Sequence, residues 1–172
     1  MTDLDTIIAH LHRARAALLA VADQVAGDHW QERPDPARWS VAEVIAHLTQ
    51  VENKITSSAA KLVEGQPRRL PFWKRLHVPV WMTEVRLFRR QTPIPLDPAL
   101  LAGKEEMIAR MCEARRRTLG FLDETRASDF SAYSWPHPFL GTLRFYDWFR
   151  VMAHHELRHT KQIREIVNSF HE

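Results

Sequence analysis

Apolar residues recur every three or four positions in four stretches of this chain, and each stretch is bounded by residues that start or stop helices. Leu4, Ile7, Ile8, Leu11, Leu18, Ala22 and Val25 share one face of a helix predicted over about residues 3–26, with Gly27 as its stop. In "RWSVAEVIAHL", Ser40 and Glu43 form a capping box: the serine oxygen accepts from the amide at 43 and the glutamate accepts from the amide at 40. Trp39, just before the cap, can staple the entry onto Val44. A second helix is therefore predicted over about 41–63, with Val44, Leu48, Val51 and Ile55 inward. A third, about 104–125, directs Ile108, Met111, Cys112, Leu119 and Leu122 inward. "SDFSAYSWPHPFLGT" reads as a loop, and a fourth helix follows over about 143–169.

Between the second and third helices lies a long connection, 65–103, cut by Pro67, Pro71, Pro79, Pro93, Pro95 and Pro98 into short pieces, with one or two helical turns expected between 79 and 91. Four long helices joined by loops make this an all-α chain, a four-helix bundle in a single domain, 1–172. The connection mixes Phe72, Trp73, Trp81 and Phe88 with Lys and Arg, too apolar for a free loop. It is expected to lie across one end of the bundle, walling a pocket or a dimer contact.

Composition narrows the class. At 172 residues, 45% hydrophobic and 26% charged, the chain has the make-up of a soluble globular protein. No apolar run is long enough to span a bilayer, so no membrane partner is expected. A single cysteine, Cys112, excludes an intramolecular disulfide and a cysteine-rich zinc site; with no secretory apolar segment at the N-terminus, it fits a reducing cytoplasm. The net charge of +3 is mild, and the arginines of 86–90 and 115–117 read as solvated faces. No nucleic-acid partner is expected.

The chemistry concentrates in "HHELRH", which contains His155-Glu156-x-x-His159. Taken literally this is the H-E-x-x-H string of zinc peptidases. Their extended form needs a glycine and a histidine three and six residues after the second histidine, where this chain has Gln162 and Glu165. The short stretch beyond His159 is not expected to carry a further ligand-bearing helix, and no strand pattern offers a substrate-binding edge. The peptidase reading fails.

Trp148, Met152, His155, His159 and Ile166 nonetheless mark the inward stripe of the fourth helix, so the two imidazoles project side by side into the core. Burying imidazoles unpaired costs about 1–3 kcal/mol per group, so the pair must either hydrogen-bond or bind something. His47 falls on the core side of the second helix, three residues after Val44 and four before Val51. His47, His155 and His159 form a three-histidine set that leaves positions open for water or substrate. Glu156 is a candidate acid/base, with a salt bridge to a neighbouring helix as the other reading. His77, His137 and Trp81 are candidates for the mouth of the pocket, expected off one end of the core.

The combination of "RWSVAEVIAHL" and "GTLRFYDWFRVMAHHELRHTKQI" resembles the DinB-like (YfiT-like) family of metalloenzymes. Trp39, Ser40, Glu43, His47 and Leu48 match its W-S-x-x-E-x-x-x-H-L stretch. Gly141, Leu143, Asp147, Trp148, His155, His159, Gln162 and Ile163 match its G-x-L-x-x-x-E/D-W and H-x-x-x-H-x-x-Q-I segments. Arg144 departs from the pattern, standing where the family often has a Thr or Ser to cap the fourth helix. The resemblance implies an up-down-down-up bundle, often dimeric, with three histidines holding a divalent transition metal. Zinc or nickel is the expected ion, with iron or copper also compatible with imidazole ligands. It further implies a small-molecule substrate, with a low-molecular-weight thiol among the candidates, and a thiol-dependent S-transferase or a hydrolase. The alternative is a non-catalytic bundle that binds metal or a second subunit.

Overall fold

The computed structural model describes residues 3–66 and 96–170, and the expectations placed on residues 67–95 lie outside it. Four helices dominate: α1 (Asp3–Ala22), α2 (Val41–Val63), α3 (Lys104–Glu124) and α4 (Phe145–Asn168). A 3-10 turn, Pro98–Leu100, leads into α3. α1 packs chiefly on α4 and α2 on α3, giving the up-down-down-up bundle.

Local chemistry sets the helix ends. At the start of α2, Glu43 N–H donates to Ser40 Oγ at 3.2 Å and Ser40 N–H donates to Glu43 Oε2 at 2.8 Å, the full capping box. α1 ends at Ala22, earlier than expected, because the chain tightens there into three-residue turns: Gln24 N–H donates to Val21 O and Val25 N–H to Ala22 O. The following loop is anchored by Trp30, buried to 1% exposure, whose indole N–H donates to Met107 Sδ.

Three expectations are corrected. The stretch read as a loop before α4 contains an antiparallel hairpin, β1 (Ser134–His137) and β2 (Gly141–Arg144), paired from Ser134↔Arg144 to His137↔Gly141. Its strands are too short for alternation to show, and Pro136 argues against a strand; the turn is made possible by Gly141 at φ 77. α4 accordingly starts at Phe145, with Arg144 as an N-cap that gives no side-chain bond. Second, Cys112 is exposed, because the inward stripe of α3 runs through Met111, Ala114, Arg115, Thr118 and Leu122, and Cys112 is rotated about 100° from Met111. Third, Arg115 is not on a solvated face but is buried, whereas Arg116 and Arg117 are exposed.

The buried apolar residues form two clusters. One gathers Leu18, Val44, Ile45, Met111 and Ile163; the other gathers Leu11, Ile55, Leu122, Phe145 and Phe149. Each helix also contributes one charge to a buried ionic ring: Arg15, Glu52, Arg115 and Glu156. Arg15 bonds Glu156 Oε1 through Nε at 2.5 Å and Glu52 Oε2 through Nη2 at 2.6 Å. Arg115 bonds Glu52 Oε1 through Nε and Glu156 Oε2 through Nη2, both at 2.7 Å. The ring is closed and its charges balance. Each guanidinium also reaches the backbone carbonyl one turn before the other arginine: Arg15 to Met111 O and Arg115 to Leu11 O. Thr118 Oγ donates to Glu52 Oε1 at 2.9 Å.

Because the Ser40 oxygen satisfies an otherwise orphaned amide of α2, Ser40→Ala is expected to lower the unfolding free energy by about 1 kcal/mol. Urea denaturation of the two proteins measures this, and an unchanged midpoint would contradict the capping box.

Candidate metal centre

The second helix carries His47 on its buried side because Val44, Leu48 and Ile55 dictate which face turns inward. On α4 the stripe through Trp148, Met152, His159, Ile163 and Ile166 does the same, with His155 half-buried at the same edge. The two faces meet so that one ligand atom from each of His47, His155 and His159 lies within 4.8 Å of the others. His155 Nε2 and His159 Nε2 are 3.1 Å apart. The ring centroids of His47 lie 5.3 Å from His155 and 5.1 Å from His159.

Hydrogen bonding orients the set. His159 Nδ1–H donates to Gln162 Oε1 at 2.9 Å, which leaves the Nε2 lone pair of His159 directed at the other two histidines. This is the arrangement that ligating histidines need, with the far nitrogen held by a partner of the protein. Trp39, next to the α2 cap, lies 5.2 Å from His47 and shields that side.

Burial drives the electrostatics. Desolvation lowers the pKa of His47 to about 4. For His155 it lowers it to about 3, with further depression from His47, Arg158 and His137. His159 is held well below its ordinary value by burial and then by His155 and His47, with the Gln162 bond opposing. All three imidazoles are therefore neutral at neutral pH. Three neutral, converging nitrogen donors with no cysteine fit a borderline transition ion better than calcium or magnesium, which take oxygen ligands. Ligands held about 2.0–2.1 Å from one tetrahedral ion stand a little over 3 Å apart, a spacing the His155–His159 pair already approaches.

The remaining candidates are distributed as follows. Both oxygens of Glu156 are engaged by Arg15 and Arg115, and its side chain points into the ring rather than towards the histidines' open side. His137 sits in the hairpin, its ring 4.9 Å from Trp148, and its Nδ1 accepts from the amides of Phe139 and Leu140. Its proton in the neutral form is thus on Nε2. His77 and Trp81 lie outside the described residues. His154 lies edge-on to His10 of α1, with centroids 4.6 Å apart, away from the set. His155 directly precedes Glu156 of the ionic ring on α4, and His47 and His159 lie five and three residues from the ring glutamates of their own helices. His155, Glu52, Arg115 and Glu156 line one small cavity of about 10 Å³, room for about one water. Sequence reasoning missed Arg15, Glu52 and Arg115, although each interrupts an otherwise apolar stripe.

A four-helix bundle with paired motifs on α2 and α4 and three converging histidines defines the class. Residues 10–163 match the family model of the DinB superfamily, and the chain belongs to that family. It is 27% identical over 137 residues to the Uncharacterized protein YuaE of Bacillus subtilis (strain 168), an alignment covering 78% of this chain and 81% of that protein. Among solved structures it is similar to TT2238, described as a four-helix bundle protein, with a TM-score of 0.61 at 20% identity over 94% of this chain and 98% of that one. That likeness concerns the fold. No helix among the described residues is long and apolar enough to cross a membrane.

Neutral buried histidines carry a pH signature. In the unfolded chain they titrate near 6.5, but in the folded one at about 4 for His47 and about 3 for His155. As the pH falls below about 6.5 the unfolded chain takes up protons that the folded chain refuses, so stability is full above that pH and is lost progressively towards about 3. The urea midpoint of chelator-treated protein should therefore fall across this window, and His155→Gln should make the fall shallower. Identical pH profiles for the two proteins would contradict the assignment.

Proposed function

We propose that this protein is a metal-dependent enzyme of the DinB superfamily in which His47, His155 and His159 hold a divalent transition ion, with zinc or nickel as the favoured metal. The convergence of three neutral imidazoles from two helices, all within 4.8 Å, carries this reading. A bound ion would lower the pKa of a thiol or water at its open position and so supply a nucleophile at neutral pH. The chain's own contributions are positional. His155 and His159 form a pair spaced one turn apart, Gln162 keeps the His159 lone pair directed inward, and Trp39 excludes water beside His47. Glu156 has no free oxygen with which to act as a base while the ring is intact.

Three protein ligands leave room for an exogenous one, which favours catalysis over a saturated structural site. The substrate class we assign is a small molecule, with a low-molecular-weight thiol as nucleophile and S-transfer or hydrolysis as the reaction. Protein purified without added metal is expected to carry a stoichiometric divalent ion. His47→Ala should lose it while keeping its helical circular dichroism. Full occupancy in that variant by elemental analysis would remove His47 from the ligand set. A metal-loaded protein that turns over no electrophilic acceptor with any of a panel of small thiols, or with water, would favour a non-catalytic bundle.

A further inference from the structure

The ionic ring has no part in binding a ligand directly, yet it is built next to the histidines and joins the two helices that carry them. We propose that Arg15 and Arg115 are positioning residues for the three-histidine centre: by bridging Glu52 of α2 to Glu156 of α4, they set the register that brings His155 and His159 to His47. This inference rests on the metal-centre reading above.

α1 packs broadly on α4 and α2 on α3, whereas α2 and α4 share a smaller contact, although the ligand set spans those two. Register between α2 and α4 must therefore be transmitted. Neither glutamate of the ring bonds the other; each is held by both arginines, one from α1 and one from α3. A slide of α4 against α2 by one residue, about 1.5 Å, would break bonds of 2.5–2.7 Å on both arginines. The arginines are in turn tied to backbone, at Met111 O and Leu11 O, so the forks cannot follow the slide.

Sequence proximity does the rest. Glu156 lies between the two α4 ligands, and Glu52 is five residues from His47 on α2. At a rise of about 1.5 Å per residue, His155 adjoins Glu156, while His159 and His47 lie about 4.5 and 7.5 Å along their helices from the ring glutamates. His155 lines a cavity in common with Glu52, Arg115 and Glu156, so ring and ligand are immediate neighbours.

Energetics separate positioning from stabilisation. Charges taken out of water are expensive, and replacing a whole buried ionic cluster by apolar residues of similar volume is often neutral or stabilising. If the ring served stability alone, an apolar replacement could do as well. A set of directed, charge-assisted bonds in which each guanidinium bridges two carboxylates fixes geometry in a way that apolar contacts do not.

Two variants test this with Co(II) as the probe, followed by its visible ligand-field spectrum and a competition titration. The first replaces the whole ring (R15M/E52L/R115M/E156L); the second is Arg115→Lys, which keeps the charge but not the fork. Both should retain helical circular dichroism, and the first should unfold at an unchanged or higher temperature. Both should bind Co(II) about 10–100-fold more weakly, with an altered spectrum. Wild-type affinity and spectrum in a folded variant would overturn the proposal; should the ring replacement fail to fold, Arg115→Lys decides alone. A wild-type protein that binds no Co(II) would instead overturn the metal-centre reading on which the proposal rests.

Discussion

Four charges from four helices have to meet at one level of this bundle, and they must meet together. A buried guanidinium or carboxylate left without its partner costs several kcal/mol, so no one of Arg15, Glu52, Arg115 and Glu156 can be seated before the rest. The apolar clusters above and below are less demanding, since hydrophobic contact tolerates small slides and rotations. The ring does not. It ties α1 to α3 through reciprocal bonds to Met111 O and Leu11 O, and it ties α2 to α4 through the two arginines that Glu52 and Glu156 share. Helix order follows from hydrophobic faces, while helix height follows from the ring.

The histidines inherit their environment from the same packing. They are neutral because the bundle removes them from water, and their ring nitrogens converge because Gln162 orients one imidazole and the helical pitch sets the next beside it. The hairpin closes another side of α4: Trp135 stacks on Trp148 at 4.7 Å, and the Trp148 indole N–H donates to Trp135 O. That places His137, with its Nδ1 engaged by backbone amides, on the same helix flank as the site.

Much of this was legible in the sequence, for local reasons. The capping box lies within four consecutive residues, and the apolar stripes repeat within single helices, so both can be read without knowing what lies opposite. The i, i+4 pair His155 and His159 is legible in the same way, and His47 follows from its neighbours Val44 and Val51. The ring was not legible, because whether a charge is buried depends on partners more than thirty residues away. Arg115 read as surface since it stands in a run of arginines, and Arg15 was passed over between Leu11 and Leu18. A sharper signal was present: Arg15, Glu52, Arg115 and Glu156 each break the inward face of a different helix, two of each sign. The hairpin escaped because strands of four residues carry too little alternation, and one contains a proline.

The closed ring also shapes how this sequence can change over generations. Replacing any one member by an apolar residue strands its partner charges in the core, a loss of about 3–5 kcal/mol and so a large share of a domain's stability. Replacing all four at once carries no such loss, but drift does not take four steps at once. The ring is thus separated from an apolar core by a valley of destabilised intermediates. Lineages that descend from a ringed ancestor are expected to keep it even where the site beside it falls out of use.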